Sequence, residues 1–256
     1  MAKRISDRGA EAERQRRAQA ALVRFLVREL RSLQRLLIPS RPSSADDWIA
    51  AVTELANQYG AGAATAAATS YEEQRDAAGI RDRFTAEPAS TPPDEQVEAS
   101  LRWASSDVWD GGSVETAHSR AEGAVGRLVL NQGRETVQQA VRQDRAAVAW
   151  ARGAALGACS FCKLMASRGA VYQSAQTAGR EADARFEGDT GEAKYHNHCH
   201  CVIIPVFRGQ TFQLSPQAAE WDRLYREYAQ GHSGDQLRLF RRALAEHDSN
   251  PLPGSN

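Results

Sequence analysis

Two short segments, Cys159-Ser160-Phe161-Cys162 and His196-Asn197-His198-Cys199-His200-Cys201, gather every cysteine of the chain and half of its six histidines. A C-x-x-C pair followed by a second cluster of soft ligands is how a chain commonly builds a tetrahedral zinc site. Cysteines three apart can turn both sulfurs toward one ion in a tight knuckle, and the small residues Gly157 and Ala158 ahead of Cys159 suit one. The second segment has two readings. If it is extended, Cys199 and Cys201 share one face and His196, His198 and His200 the other, which gives an all-cysteine site. If His196 to Cys199 curls into a turn, His196 and Cys199 face the ion together, as Cys3His or Cys2His2. The preferred ligand set is Cys159, Cys162, His196 and one or both of Cys199 and Cys201. His198 is held in reserve and His200 points to solvent.

A catalytic zinc keeps an open position beside a general base, whereas a structural zinc is closed by four protein ligands. Here candidate ligands are in surplus. The acids that precede the histidines, Glu187, Asp189 and Glu192, lie in a glycine-rich connection read as solvated. A closed, structural Zn2+ site is therefore expected.

The elements that must position these ligands are mostly helical. Leu22, Val23, Leu26, Val27, Leu30, Leu33 and Leu37 recur at three- and four-residue steps among arginines, predicting an amphipathic helix over 21–38 that Pro39 ends. Ser43-Ser44-Ala45-Asp46-Asp47 reads as the cap and acidic first turn of a second helix. Its run from Gly60 to Ser70, almost wholly Ala, Gly and Thr, suits close helix packing. Thr85 to Glu95, with three prolines, reads as a linker. A third helix starts near Asp94 and carries Val97, Leu101, Trp103 and Val108. After Gly111-Gly112, Ser113 caps a helical pattern running to Ala155, with a weak point at Asn131-Gln132-Gly133.

Composition changes at Gly153. Val202 to Phe207 reads as a strand, with Pro205 placing it at an edge or an end, and Gly179 to Lys194 as a polar loop. From Pro216 to about Glu246 a last helix is interrupted at Gly231 to Gly234, and Asp248 to Asn256 reads as a disordered tail. The expected fold is thus mainly α, with a small α+β zinc-stapled module. It divides into a helical region 1–90, a second helical region 91–152, a Cys/His module 153–208, and a C-terminal helix with tail 209–256.

The charges balance, 32 basic against 32 acidic, so no global field draws the chain to nucleic acid or anionic membranes. No apolar run is long enough to span a bilayer, and no apolar segment follows the N-terminal charges as in a secretory signal. In a reducing cytoplasm, paired thiols hold metal more readily than they form disulfides.

Cys159 to Tyr172, then Tyr195 to Cys201 with Pro205-Val206-Phe207, resembles tailed-phage minor head proteins of the Mu F type, most closely the versions in phages and prophages of actinobacteria. That family carries a C-x-x-C half and a downstream H-x-x-C-x-C half, and His196, Cys199 and Cys201 match its ligand-like positions. The resemblance is specific over about residues 150–207. It implies a virion protein, a minor capsid or head morphogenesis component inside the phage head. Its expected partners are the portal protein and other capsid components, with packaged phage DNA as a further contact.

Two other readings compete. A zinc-dependent HNH-like nuclease needs a general-base histidine and further metal ligands after a helix. Downstream of Cys201 only His232 and His247 remain. A DNA-binding zinc module needs a basic stripe beside the cysteines, and Arg168, Arg180, Arg185 and Arg208 are interspersed with acids. The sequence holds no G-x-S-x-G, H-E-x-x-H or P-loop, so an enzyme is not expected.

Overall fold

A computed structural model of the chain describes residues 2–170 and 197–248. His196, the polar loop expected over Gly179–Lys194 and the tail beyond Asp248 lie outside those residues.

The N-terminal helix, α1 (Ala10–Ser32), starts well before the apolar stripe begins, because residues 10–20 are all Ala, Glu, Arg or Gln, good helix formers. Glu11 and Glu13 in its first turn and Arg31 in its last complement the macrodipole. It ends at Ser32, and a 3-10 turn over Gln34–Leu36 leads to Pro39. Its companion α2 (Ser44–Ala77) runs unbroken through Gly60 and Gly62. The Ser43 side chain makes no cap bond. Instead the Ser44 hydroxyl accepts from Ile38 N at 2.9 Å and folds the connection back onto the helix start.

Two more helices complete the N-terminal bundle. α3 (Asp94–Ser105) begins where the sequence placed it, and α4 (Val114–Gln143) is capped by Ser113, whose side chain accepts from Thr116 N. The small residues of α2 do what their size suggests. A Cβ on Gly133 of α4 would sit 3.1 Å from the Ala63 carbonyl, so Asn131-Gln132-Gly133 is a site of close approach rather than a break. Leu26 and Leu30, Trp48, Ile49 and Val52, Val97 and Leu101, and Val125, Leu128 and Val129 fill one core shared by all four helices. Of the apolar residues of α3, Trp103 is exposed, with Arg120 over its ring at 5.6 Å. Residues 85–93 of the expected linker have no regular structure but are pinned, and its last two residues open α3: Ala86 N donates to Glu72 and Ala89 N to Thr136 Oγ1, each at 2.9 Å.

The helix expected to reach Ala155 stops at Gln143. Asp144 adopts an extended backbone, and its carboxylate takes the Ala146 amide at 2.9 Å, an Asx turn that diverts the chain. That same buried carboxylate accepts from Tyr71 Oη at 3.0 Å and Arg75 Nε at 2.9 Å. The chain then forms a strand where a helix was expected, Ala147–Gly153.

Numbering strands in chain order, β1 is Lys3–Ser6, β2 Ala147–Gly153, β3 Val202–Phe207 and β4 Gln210–Gln213. β2 pairs antiparallel with β3, Trp150 opposite Pro205 and Gly153 opposite Val202, while β1 pairs parallel with β4. The sheet is only two strands wide, so Pro205 costs no central ladder bond. β1 carries the N-terminus into the C-terminal third. There buried Asp7 accepts from the Ser215 amide and hydroxyl, both at 2.7 Å.

Between the paired strands β2 and β3 comes α5 (Ser160–Ser167). Beyond β4 lie α6 (Pro216–Tyr228) and α7 (Gln236–His247), separated by Gly231 and Gly234, both at positive φ. That is the interruption the sequence predicted, and the mainly helical fold with small sheets is as expected. Asp248 departs from the expected disordered tail. It is buried, and accepts from Lys163 Nζ at 2.5 Å, Gln217 Nε2 at 3.0 Å and Trp221 Nε1 at 3.3 Å.

Candidate metal centre

Cys159 stands immediately before α5, with an extended backbone, and its sulfur accepts the Cys162 amide at 3.4 Å. It therefore caps the helix in place of a hydroxyl or carboxylate. One helical turn on, Cys162 is buried. Across from it, Asn197-His198 forms a turn with His198 at φ +60°, and residues 199–201 have no regular structure before β3 begins. Burial alternates there, with Cys199 and Cys201 buried and His200 exposed, as one face of an extended run would give.

The outcome is a sulfur cluster. Cys162, Cys199 and Cys201 bring their Sγ atoms within 4.8 Å of one another, and Cys162 and Cys199 are 3.4 Å apart. Thiolates sharing a tetrahedral ion at about 2.3 Å sit about 3.8 Å from each other. The three buried sulfurs thus lie close enough to bind a metal ion. They belong to one buried apolar cluster with Leu164, Trp221, Leu224, Phe240 and Leu244, a low-dielectric setting that penalises uncompensated charge.

Compensation comes from arginines. Arg134 of α4 is buried and donates from Nε to the Cys201 carbonyl at 3.1 Å and from Nη2 to the Cys199 carbonyl at 2.5 Å. Its charge favours the Cys199 thiolate. Fully buried Arg152 of β2 does the same for Cys201, and Arg16 of α1 also feels the Cys201 charge. Gly153 makes room for Arg16, because a Cβ there would fall 2.6 Å from its Nη2.

The thiols couple strongly. Hydrogen bonds with Cys159, then with Cys199 and Cys201, push Cys162 up, and burial adds to them. Hydrogen bonds from Cys162 and Cys201 hold Cys199 well below the ordinary thiol range, helped by Arg134. At Cys201 the bond from Cys162 acts downward, but the Cys199 partner and burial prevail, leaving it pushed up to about 12. Such a cluster favours one thiolate paired with neighbouring S–H donors. Adding a cation and removing the protons is the natural way to satisfy all of its sulfurs.

Of the residues singled out from sequence, Cys162, Cys199 and Cys201 come together, and Cys159 adjoins them through the helix cap. His198 is exposed and outside the trio; its ring lies against α4, where a Cβ on Gly123 would sit 2.6 Å from Nε2. Asn197 fixes the same turn by accepting from Arg127 Nε at 3.0 Å. His247 stacks on Tyr228 with ring centres 4.9 Å apart.

Arg134, Arg152 and the buried Lys163–Asp248 pair had no place in the sequence reading. Arg134 and Arg152 were hidden in an arginine-rich composition. Lys163 carried a usable signal, since it is one of three lysines in the chain and follows Cys162 directly.

A family model described as VG15 protein matches residues 7–230, nearly the whole length of the chain. No curated protein and no solved structure matches.

Proposed function

The chain belongs to the VG15 protein family, which points to a phage-encoded protein, and from that premise we propose that it is a minor head protein of the Mu F type, acting in head assembly beside the portal inside the virion. The observation that carries this reading is the convergence of the two cysteine segments that resemble the Mu F type. They are far apart in sequence, yet Cys162, Cys199 and Cys201 meet in one buried cluster.

In this reading the ion is zinc, held by Cys162, Cys199 and Cys201 with Cys159 or His196 completing the set. When bound, the metal supplies a crosslink between α5 and the segment leading into β3. The residues of the chain do the rest: Arg134 holds the Cys199 and Cys201 carbonyls, and the apolar cluster keeps water from the thiolates. Burial of the thiols supports a structural role over a catalytic one, because a substrate would have to displace that cluster.

Co-expression with the portal protein of the same phage genome tests the assignment. The expected result is a complex that co-elutes on size exclusion, and this chain as a component of purified heads. Absence from both would overturn the reading. Digestion of plasmid DNA by the metal-loaded protein, abolished by Cys162→Ser without loss of folding, would install the nuclease reading instead.

A further inference from the structure

Within a chain of balanced charge, residues 14–41 carry eight arginines, at 14, 16, 17, 24, 28, 31, 35 and 41, against one acid, Glu29, a net of +7. Arg16 turns inward to the Asp7 carbonyl and Glu13. The other seven are exposed. With 3.6 residues per turn, Arg14, Arg17, Arg24, Arg28 and Arg31 fall within an arc of about 100° on α1, opposite the face that buries Leu26 and Leu30. From Arg14 to Arg31 the stripe runs about 26 Å along the axis.

Few acids answer it. Glu29 reaches Arg28 at 3.5 Å, and Glu122 of α4 reaches Arg31 at 3.0 Å. Among the described residues Arg14, Arg17, Arg24, Arg35 and Arg41 form no salt bridge. Like charges three and four apart weaken a helix, and the ion pairs to Glu29 and Glu122 offset that cost at Arg28 and Arg31 only.

We propose that this face of α1 is a docking surface for the phosphate backbone of duplex DNA, bound without base reading. A duplex presents one negative charge per about 1.7 Å over its two strands, so a segment as long as the stripe carries roughly fifteen phosphates, of which one side of the duplex meets the helix. Guanidinium groups grip phosphate bidentately. A protein partner is the poorer fit, because interface cores are depleted in charge and built on apolar anchors. The stripe offers only Phe25 in that role, with Arg28 lying over its ring at 5.1 Å. The proposal stands apart from the cysteine cluster and does not depend on metal.

Fluorescence anisotropy with an end-labelled mixed-sequence duplex of about 30 base pairs, long enough to cover the stripe, tests it on the full chain between 50 and 200 mM salt. The native protein binds, and its affinity falls steeply with salt. Replacing Arg17, Arg24 and Arg28 together by Gln reduces the slope of log K against log salt by about 2.7. It also weakens binding at 50 mM at least tenfold, with thermal unfolding unchanged. The same replacement at Arg223, Arg226 and Arg238, exposed arginines already paired with acids, changes affinity less than twofold.

Equal loss from both triple variants, or no loss from the first, overturns the proposal. Binding of poly-glutamate with no binding of duplex also overturns it, in favour of an acidic protein surface.

Discussion

Arg134 is the most informative residue to replace, because it touches both candidate ligand-bearing backbones without being a ligand. It is 2% exposed and donates to the carbonyls of Cys199 and Cys201, with a third bond to Asn131 Oδ1 at 2.9 Å. Hydrogen bonds from a charged donor each contribute about 1.5–3 kcal/mol. Arg134→Met removes the two buried ones, so it should cost about 3–6 kcal/mol. The methionine recovers part of that by ending the burial of a charge, which favours the lower half. In a chain of this size each kcal/mol lowers Tm by about 2–4 °C, so a fall of roughly 6–18 °C is expected. Arg134→Lys keeps the charge but not the fork that spans two carbonyls, and should lose about half as much. Urea unfolding with and without chelator separates the causes. The Arg134 loss persists when metal is withdrawn, because its bonds are to backbone, whereas the loss in Cys162→Ser does not add to that of the chelator. A shift of under about 1 kcal/mol for Arg134→Met would refute the view that this arginine orders the Cys199–Cys201 segment.

Three other outcomes follow from the same physics. Purified protein should carry about one metal ion per chain, none in the Cys162→Ser/Cys199→Ser variant, and should release it as acid protonates the thiolates; metal analysis against pH reads this. Lys163→Met should cost about 3–5 kcal/mol by stranding the Asp248 carboxylate beside Trp221. Lys163→Met with Asp248→Leu should regain most of that, and a double-mutant cycle without coupling would sink the idea. Burial holds the His118 pKa below the ordinary histidine value, opposed in part by Glu122 and Glu115. The neutral ring therefore contributes its full stability above about 6.5, and that contribution drains away as pH falls from there toward the folded value. His118→Phe, which can keep the edge contact with Trp48, should flatten stability in that window, and an unchanged slope would exclude His118 as its source.

Sequence legibility followed the range of the forces involved. Cap residues, glycine stops and apolar periodicity act within a few positions. Ser113, Asp94, Pro216 and the Gly231–Gly234 break were accordingly readable, as were the buried faces of α1 and α2. β2 was not, because Ala147–Gly153 continues the composition of α4, and only the Asx turn at Asp144 diverts it. β1 was equally hidden: four polar-rich residues become a strand only because β4, more than two hundred residues later, offers a partner edge. The cysteines were legible because soft ligands at short spacing are rare. Their choice between extended and turned geometry was not, since it depends on the His198 turn seating on Gly123 and Arg127 of α4.

α5 ties these long-range features together. Eight residues are too few for a helix to persist by propensity alone, so α5 must be held from outside. Cys162 and Lys163 are neighbours in sequence, and helical geometry turns them about 100° apart. One faces Cys199 and Cys201, the other Asp248 and the Trp221 ring, with Nζ 5.3 Å from its centre. The candidate ligands ahead of β3 and the end of α7 thereby meet the same short helix through two different chemistries. Withdrawing metal relaxes only the first attachment, and Lys163→Met only the second. If both hold α5, combining the two should destabilise by more than the sum, because each alone leaves the helix anchored. Strict additivity would mean that the sulfur cluster and the buried ion pair stabilise separate parts of the molecule.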